Sequence, residues 1–129
     1  MRILLDTHIL LWALLTPGRL DPKARALLED NDNEVVFSAV SIWEVAIKAS
    51  LGRSDFKARP EAVIQYACDT GFVELPVHAA VAARVADLPL HHADLFDRLL
   101  IVQAMAGPMR LLTADPVLVQ YSELVTLIG

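Results

Sequence analysis

Met1 to Leu15 reads MRILLDTHILLWALL, and this stretch decides the fold. Ile3 to Leu5 is a short continuous apolar run, the pattern of a strand buried on both faces, and Ile9 to Leu15 is a second apolar run long enough for a helix. Asp6 stands at the handover between them. In open α/β sheets, ligands bind at the carboxyl ends of the strands, so an acid in that place is a candidate site residue. Asp is also a preferred N-cap, and for this residue alone capping is the simpler account. Repetition of the pattern further along shifts the weight toward chemistry.

The chain has 129 residues, enough for a single domain over 1–129 with a real core. Lysine plus arginine total 11 against 16 acids, for a net charge of −5, so the basic footprint of a protein that holds nucleic acid by charge alone is missing. Nucleic-acid binding would have to be local or metal-assisted. Hydrophobic residues make up 55% of the chain, yet every apolar run stops well short of the roughly 18 residues that would span a bilayer. So apolar a composition leaves apolar surface for a partner. The N-terminus starts on a strand with no signal-peptide pattern, which reads as a cytoplasmic protein without membrane association. The single cysteine, Cys68, excludes a disulfide framework and a zinc cluster and is read as a small buried apolar residue.

Outward from the first helix, Thr16-Pro17-Gly18 is a breaker, and Asp21-Pro22 has the N-cap and N1-proline signature of a second helix. Val35 to Phe37 is a second apolar strand, and Ser41 opens a helix to about Ser50, with Gly52 as its stop. Ser41 and Glu44 have capping-box spacing, which explains Glu44 without chemistry. Glu44 nevertheless follows the carboxyl end of strand two. Lys48, Arg53, Lys57 and Arg59 form a basic run suited to solvent or to phosphate beside an acidic site. Pro60 begins a helix ending near Gly71; Phe72 to Leu75 is a third strand; Val77 to Leu88 is an amphipathic helix closed by Pro89. Asp94 is a good N-cap for the helix that follows, with Asp97 one turn on. Arg110 to Leu112 is a fourth strand, Asp115-Pro116 repeats the cap signature, and Leu124 to Ile128 is a last strand.

Four segments therefore place acids at a strand-to-helix handover or first helical turn: Asp6, Glu44, the pair Asp94 and Asp97, and Asp115. In a parallel sheet these handovers fall on one edge and the acids converge. Clustered carboxylates raise one another's pKa unless a cation sits between them. Oxygen ligands without cysteine select a hard ion, Mg2+ or Mn2+, and such a centre suits hydrolysis of a phosphodiester.

The segments ILLDTHILLW, SIWEVAIK, HADLFDRLLIVQA and LLTADP, in this order and spacing, resemble the PIN-domain ribonucleases, and most of all the VapC toxins of bacterial VapBC toxin-antitoxin modules. The resemblance implies a three-layer α/β/α sandwich around a mainly parallel sheet of four to five strands. It also implies that Asp6, Glu44 and Asp97 are the core metal-binding acids, with Asp115 as the fourth and Asp94 as a recurrent further acid. His92 matches a histidine that often precedes that acid, and Leu95 stands where close relatives often have proline. The implied activity is a metal-dependent endoribonuclease toxin acting on RNA and neutralised by a cognate antitoxin; the excess apolar content of the chain suggests a homodimer with a groove that accepts an apolar antitoxin segment.

Two other readings compete: a non-cleaving PIN-fold module that binds RNA or protein, and a receiver-like phosphoacceptor domain. The second needs a lysine near the end of a late strand, and none lies between Arg59 and Gly129. His8 and His92 are read as ordinary loop or cap residues before site residues, Trp12 and Trp43 as packing residues. Thr7 and Thr113 are hydroxyls beside site acids, and Arg98 faces phosphate or solvent.

Overall fold

The computed structural model describes residues 1–53 and 58–128, so Lys57 of the basic run lies outside the described residues. Five strands form one sheet: β1 (Arg2–Leu5), β2 (Glu34–Ser38), β3 (Val73–Leu75), β4 (Arg110–Thr113) and β5 (Val125–Leu127), in the order β3-β2-β1-β4-β5. Every neighbouring pair is parallel. Leu5 of β1 stands opposite Phe37 of β2 on one side and Leu112 of β4 on the other, which makes β1 the centre.

Both faces are covered, and the alternation along the central strands shows how. Ile3 and Leu5 join Val35, Phe37 and Leu112 in one apolar cluster, with Ile9 and Leu10 of α1 (Thr7–Leu15), Ala24 of α2 (Pro22–Glu29) and Val63 of α4 (Pro60–Thr70). Leu4, Val36 and Leu111 point the other way, onto Val40 of α3 (Ala39–Ser50) and Leu100, Ile101 and Ala104 of α6 (Leu95–Ala106). This is the expected helix-flanked parallel sheet, and the continuous apolar runs follow from burial on both faces. Chain order turns from β1 outward to β2 and β3, then crosses back to β4, so the reversal lies between β1 and β4. That crevice is the switch point where α/β sheets bind ligands.

Three local readings change. The long amphipathic helix is a short α5 (Ala79–Ala83) that tightens into a 3-10 turn at Arg84–Asp87, and the segment after Asp115 is likewise a 3-10 helix, Pro116–Tyr121. Cys68 is exposed, because α4 turns its Val63 and Ala67 to the core instead. Gly71 ends α4 at φ +96°, the left-handed conformation that glycine adopts at least cost. Leu95 occupies the first position of α6, where proline and leucine are both tolerated.

Candidate active site

Asp6 caps α1 as expected, but capping uses only one of its oxygens. Oδ1 accepts the Ile9 N–H at 2.9 Å, while Oδ2 accepts the hydroxyl of Thr113, at the end of β4, at 2.5 Å. Asp6 and Thr113 thus bridge the crevice between β1 and β4. Burial raises the Asp6 pKa; the hydrogen bonds from Thr113 and Ile9 and the nearby His8 oppose the rise, and Glu44 adds to it.

Glu44 is not part of a capping box. Ser38, one turn earlier, caps α3, its hydroxyl oxygen accepting the Val40 N–H at 3.0 Å, and Ser41 accepts a hydrogen bond from Thr7 Oγ1 instead. As the sixth residue of α3, Glu44 lies beyond the turn whose N–H groups need caps, so the structural account of this acid is gone. Its side chain is buried. Oε2 accepts from the ammonium of Lys48, one turn along, and buried Oε1 has no hydrogen-bond partner among the described residues.

Asp94 caps α6 by accepting the Asp97 N–H at 3.0 Å. Asp97 caps nothing in turn: its Oδ2 lies 3.0 Å from His92 Nε2, which is also 3.6 Å from Asp115 Oδ2. Asp115 caps the last 3-10 helix through the Val117 N–H. Burial, then the charges of Asp94, Asp6 and Glu44, push the Asp97 pKa up to about 7, with His92 opposing. The loop carrying His92 is fastened from behind. Tyr121 Oη accepts the His91 and His92 N–H groups, and Arg98 donates to the carbonyls of Pro89, His92 and Val85.

Asp6, Glu44, Asp94, Asp97 and Asp115 all line one pocket of about 380 Å3, together with His8, Trp12, Lys48 and His92. Within it, the tightest set of ligand-type atoms among the described residues is His92, Asp94 and Asp97, whose atoms lie within 4.8 Å of one another. A divalent cation fits the acids of this pocket: carboxylate oxygens suit a hard ion, the buried Oε1 of Glu44 is left without a donor among the described residues, and the burial and then the neighbouring acids that lift Asp97 call for positive charge.

Two pocket residues take places that the sequence leaves open. His92 is in the cluster rather than an ordinary loop residue, because the Tyr121 and Arg98 contacts draw its loop over α6. Lys48 lies on Glu44 rather than waiting for phosphate; its position four residues after Glu44 was the available signal. Arg98 is half-buried and donates to loop carbonyls. Trp12 is half-buried against the core, and Trp43 is 47% exposed, edge-on to Phe96 at 5.0 Å.

No curated protein matches the sequence significantly. Among solved structures, VapBC2 from Rickettsia felis, crystallised bound to a DNA fragment from its promoter, is similar with a TM-score of 0.74 at 15% identity, over 100% of both chains. FitAcB from Neisseria gonorrhoeae is similar with a TM-score of 0.50 at 21% identity, over 90% of this chain and 89% of the other. At such identities the likeness is one of fold. The family model of the PIN domain matches residues 3–124, nearly the whole chain and a span that includes all five pocket acids, and the chain belongs to the PIN domain family.

Proposed function

We propose that this PIN domain is a Mg2+- or Mn2+-dependent endoribonuclease of toxin type, restrained by an antitoxin. The observation that carries the reading is the buried Glu44, whose Oε1 has no partner among the described residues in a pocket with four further acids. A carboxylate oxygen left so is costly unless a cation meets it. On this reading Asp6, Glu44, Asp97 and Asp115 hold the catalytic cation, with Asp94 and His92 beside them. A divalent cation held there would supply charge neutralisation at the phosphate and a polarised water for hydrolysis of the phosphodiester.

The chain's own part is to set those donors in place. Thr113 and Ile9 hold Asp6 by both oxygens, so its carboxylate enters the pocket in one orientation. Lys48 holds Oε2 of Glu44 and leaves Oε1 to the site. His92 Nε2 lies 3.0 Å from Oδ2 of Asp97 and holds that carboxylate in one orientation at the mouth of the pocket.

Support for a protein partner comes from α3 and its C-cap, where Trp43, Ile47 and the capping Leu51 recur every fourth residue and are exposed, a row one apolar helix face would cover. The motif resemblance to VapC toxins and the fold likeness to a VapBC2 chain favour an antitoxin there, and the same apolar excess favours a homodimer in solution.

The test is incubation of purified protein with a mixed set of structured RNAs, with Mn2+, with EDTA, and as Glu44→Gln. Cleavage that requires both metal and Glu44, with a loss of at least about 100-fold in the variant, is expected of a metal-ligand acid. RNA bound but left intact under every condition would replace the nuclease with a binding module.

A further inference from the structure

The acidic pocket shares a wall with a second cavity. Trp12 and Ala114 line both, and beyond them Arg19, Pro116, Leu127 and Ile128 enclose a space of about 590 Å3. The guanidinium carbon of Arg19 lies 4.4 Å from the centroid of the Trp12 ring. Arg19 ends the short 3-10 helix Pro17–Arg19 and is exposed, while Trp12 beneath it is half-buried.

We propose that this second cavity is a nucleobase subsite, which seats one base of an RNA strand whose phosphate lies in the acidic pocket. The proposal rests on the hydrolytic reading above and specifies how its substrate is held. Single-stranded RNA is held by stacking its bases on aromatic rings and arginine planes, and the indole with a guanidinium over it is such a platform. Pro116, Leu127 and Ile128 supply an apolar wall for a flat ring, and Arg19 adds positive charge for a sugar-phosphate strand. That charge matters in a chain of net charge −5. The other cations near the acids are engaged, Lys48 on Glu44 and Arg98 on loop carbonyls, whereas Arg19 rests on an aromatic face. Because one wall separates the two cavities, a base in the second adjoins a phosphate in the first.

The protein contains two tryptophans, so Trp43→Phe leaves Trp12 as the only indole and keeps an aromatic ring against Phe96. In that background, a short 2′-O-methyl oligonucleotide added with EDTA binds without being cut, and Trp12 fluorescence reports its arrival. Saturable quenching is expected, with affinity about tenfold weaker in Arg19→Ala and intermediate in Arg19→Lys, which keeps the charge but not the plane. Unchanged affinity in Arg19→Ala, or quenching by a partner protein but never by the oligonucleotide, overturns the subsite. Cleavage of RNA run in parallel separates the two readings. Metal-dependent cutting with KM unmoved by Arg19→Ala overturns the subsite alone, and Arg19-dependent binding without cutting overturns the hydrolysis alone.

Discussion

Asp97 shows at the scale of one residue what a crowded acid site costs. Its carboxyl titrates at about 7 in the fold against 3.8 ordinarily, so between those values the folded protein keeps a proton that the unfolded chain releases. The contribution of Asp97 to metal-free stability is therefore full below the lower value, declines as pH rises toward the upper one, and is level beyond it. Asp6, also raised, acts in the same direction. Thermal melts in EDTA are expected to show this decline between about pH 4 and pH 7, and Asp97→Asn should flatten it, raising the melting temperature at the upper pH by roughly 5 °C. The same variant should lose the extra stability that Mg2+ gives the parent. A variant destabilised by about 1 kcal/mol at every pH would instead mark Asp97 as a capping residue. Asp6 differs, since capping and site roles coincide in it: Asp6→Ala should cost about 1 kcal/mol as a lost cap, while Asp6→Asn keeps an acceptor for Ile9 and should lose mainly metal response.

At the scale of elements, two helix starts carry the site. Ser38 caps α3 and donates to Gln103 Oε1 of α6 at 2.5 Å, while Gln103 Nε2 donates to Pro76 O at 3.2 Å. Ser38→Ala removes the cap and leaves a buried amide oxygen without its donor, so urea unfolding should show a loss of about 2 kcal/mol. The start of α6 depends on Tyr121, whose hydroxyl ties the 3-10 helix after Asp115 to the loop that carries His92. In Tyr121→Phe, the amides of His91 and His92 should exchange with solvent faster, while those inside α6 keep their protection. Unchanged exchange at both amides would show that the loop holds itself. These elements also mark where the sequence could be read and where not. The strand-acid-helix rhythm was plain, but the α3 cap was placed one turn late. Ser38 and Ser41 are equally good local caps, and the choice between them follows from Thr7 and Gln103, 34 and 65 residues away.

For the whole molecule, the sheet is closed in by helices on both faces, and part of the apolar surplus that remains forms a row along α3 and its C-cap, Trp43, Ile47 and Leu51. Leu51 is 72% exposed, so Leu51→Glu should change stability by no more than about 0.5 kcal/mol. On the proposed toxin reading, it should also sharply weaken capture of the antitoxin, measured by coexpression and pull-down. Retained capture would move the partner to another face. The sequence by itself determined the parallel α/β architecture and the identity of the five acids, because apolar period, breakers and cap residues act over a few positions of chain. Tertiary structure alone decided what those acids do to one another. It brought Thr113 to Asp6, turned Lys48 onto Glu44, drew His92 between Asp97 and Asp115, and committed Arg98 to the loop. Each of these depends on how β1, β4 and α6 pack, and packing joins residues up to 107 positions apart through distances that no local pattern encodes.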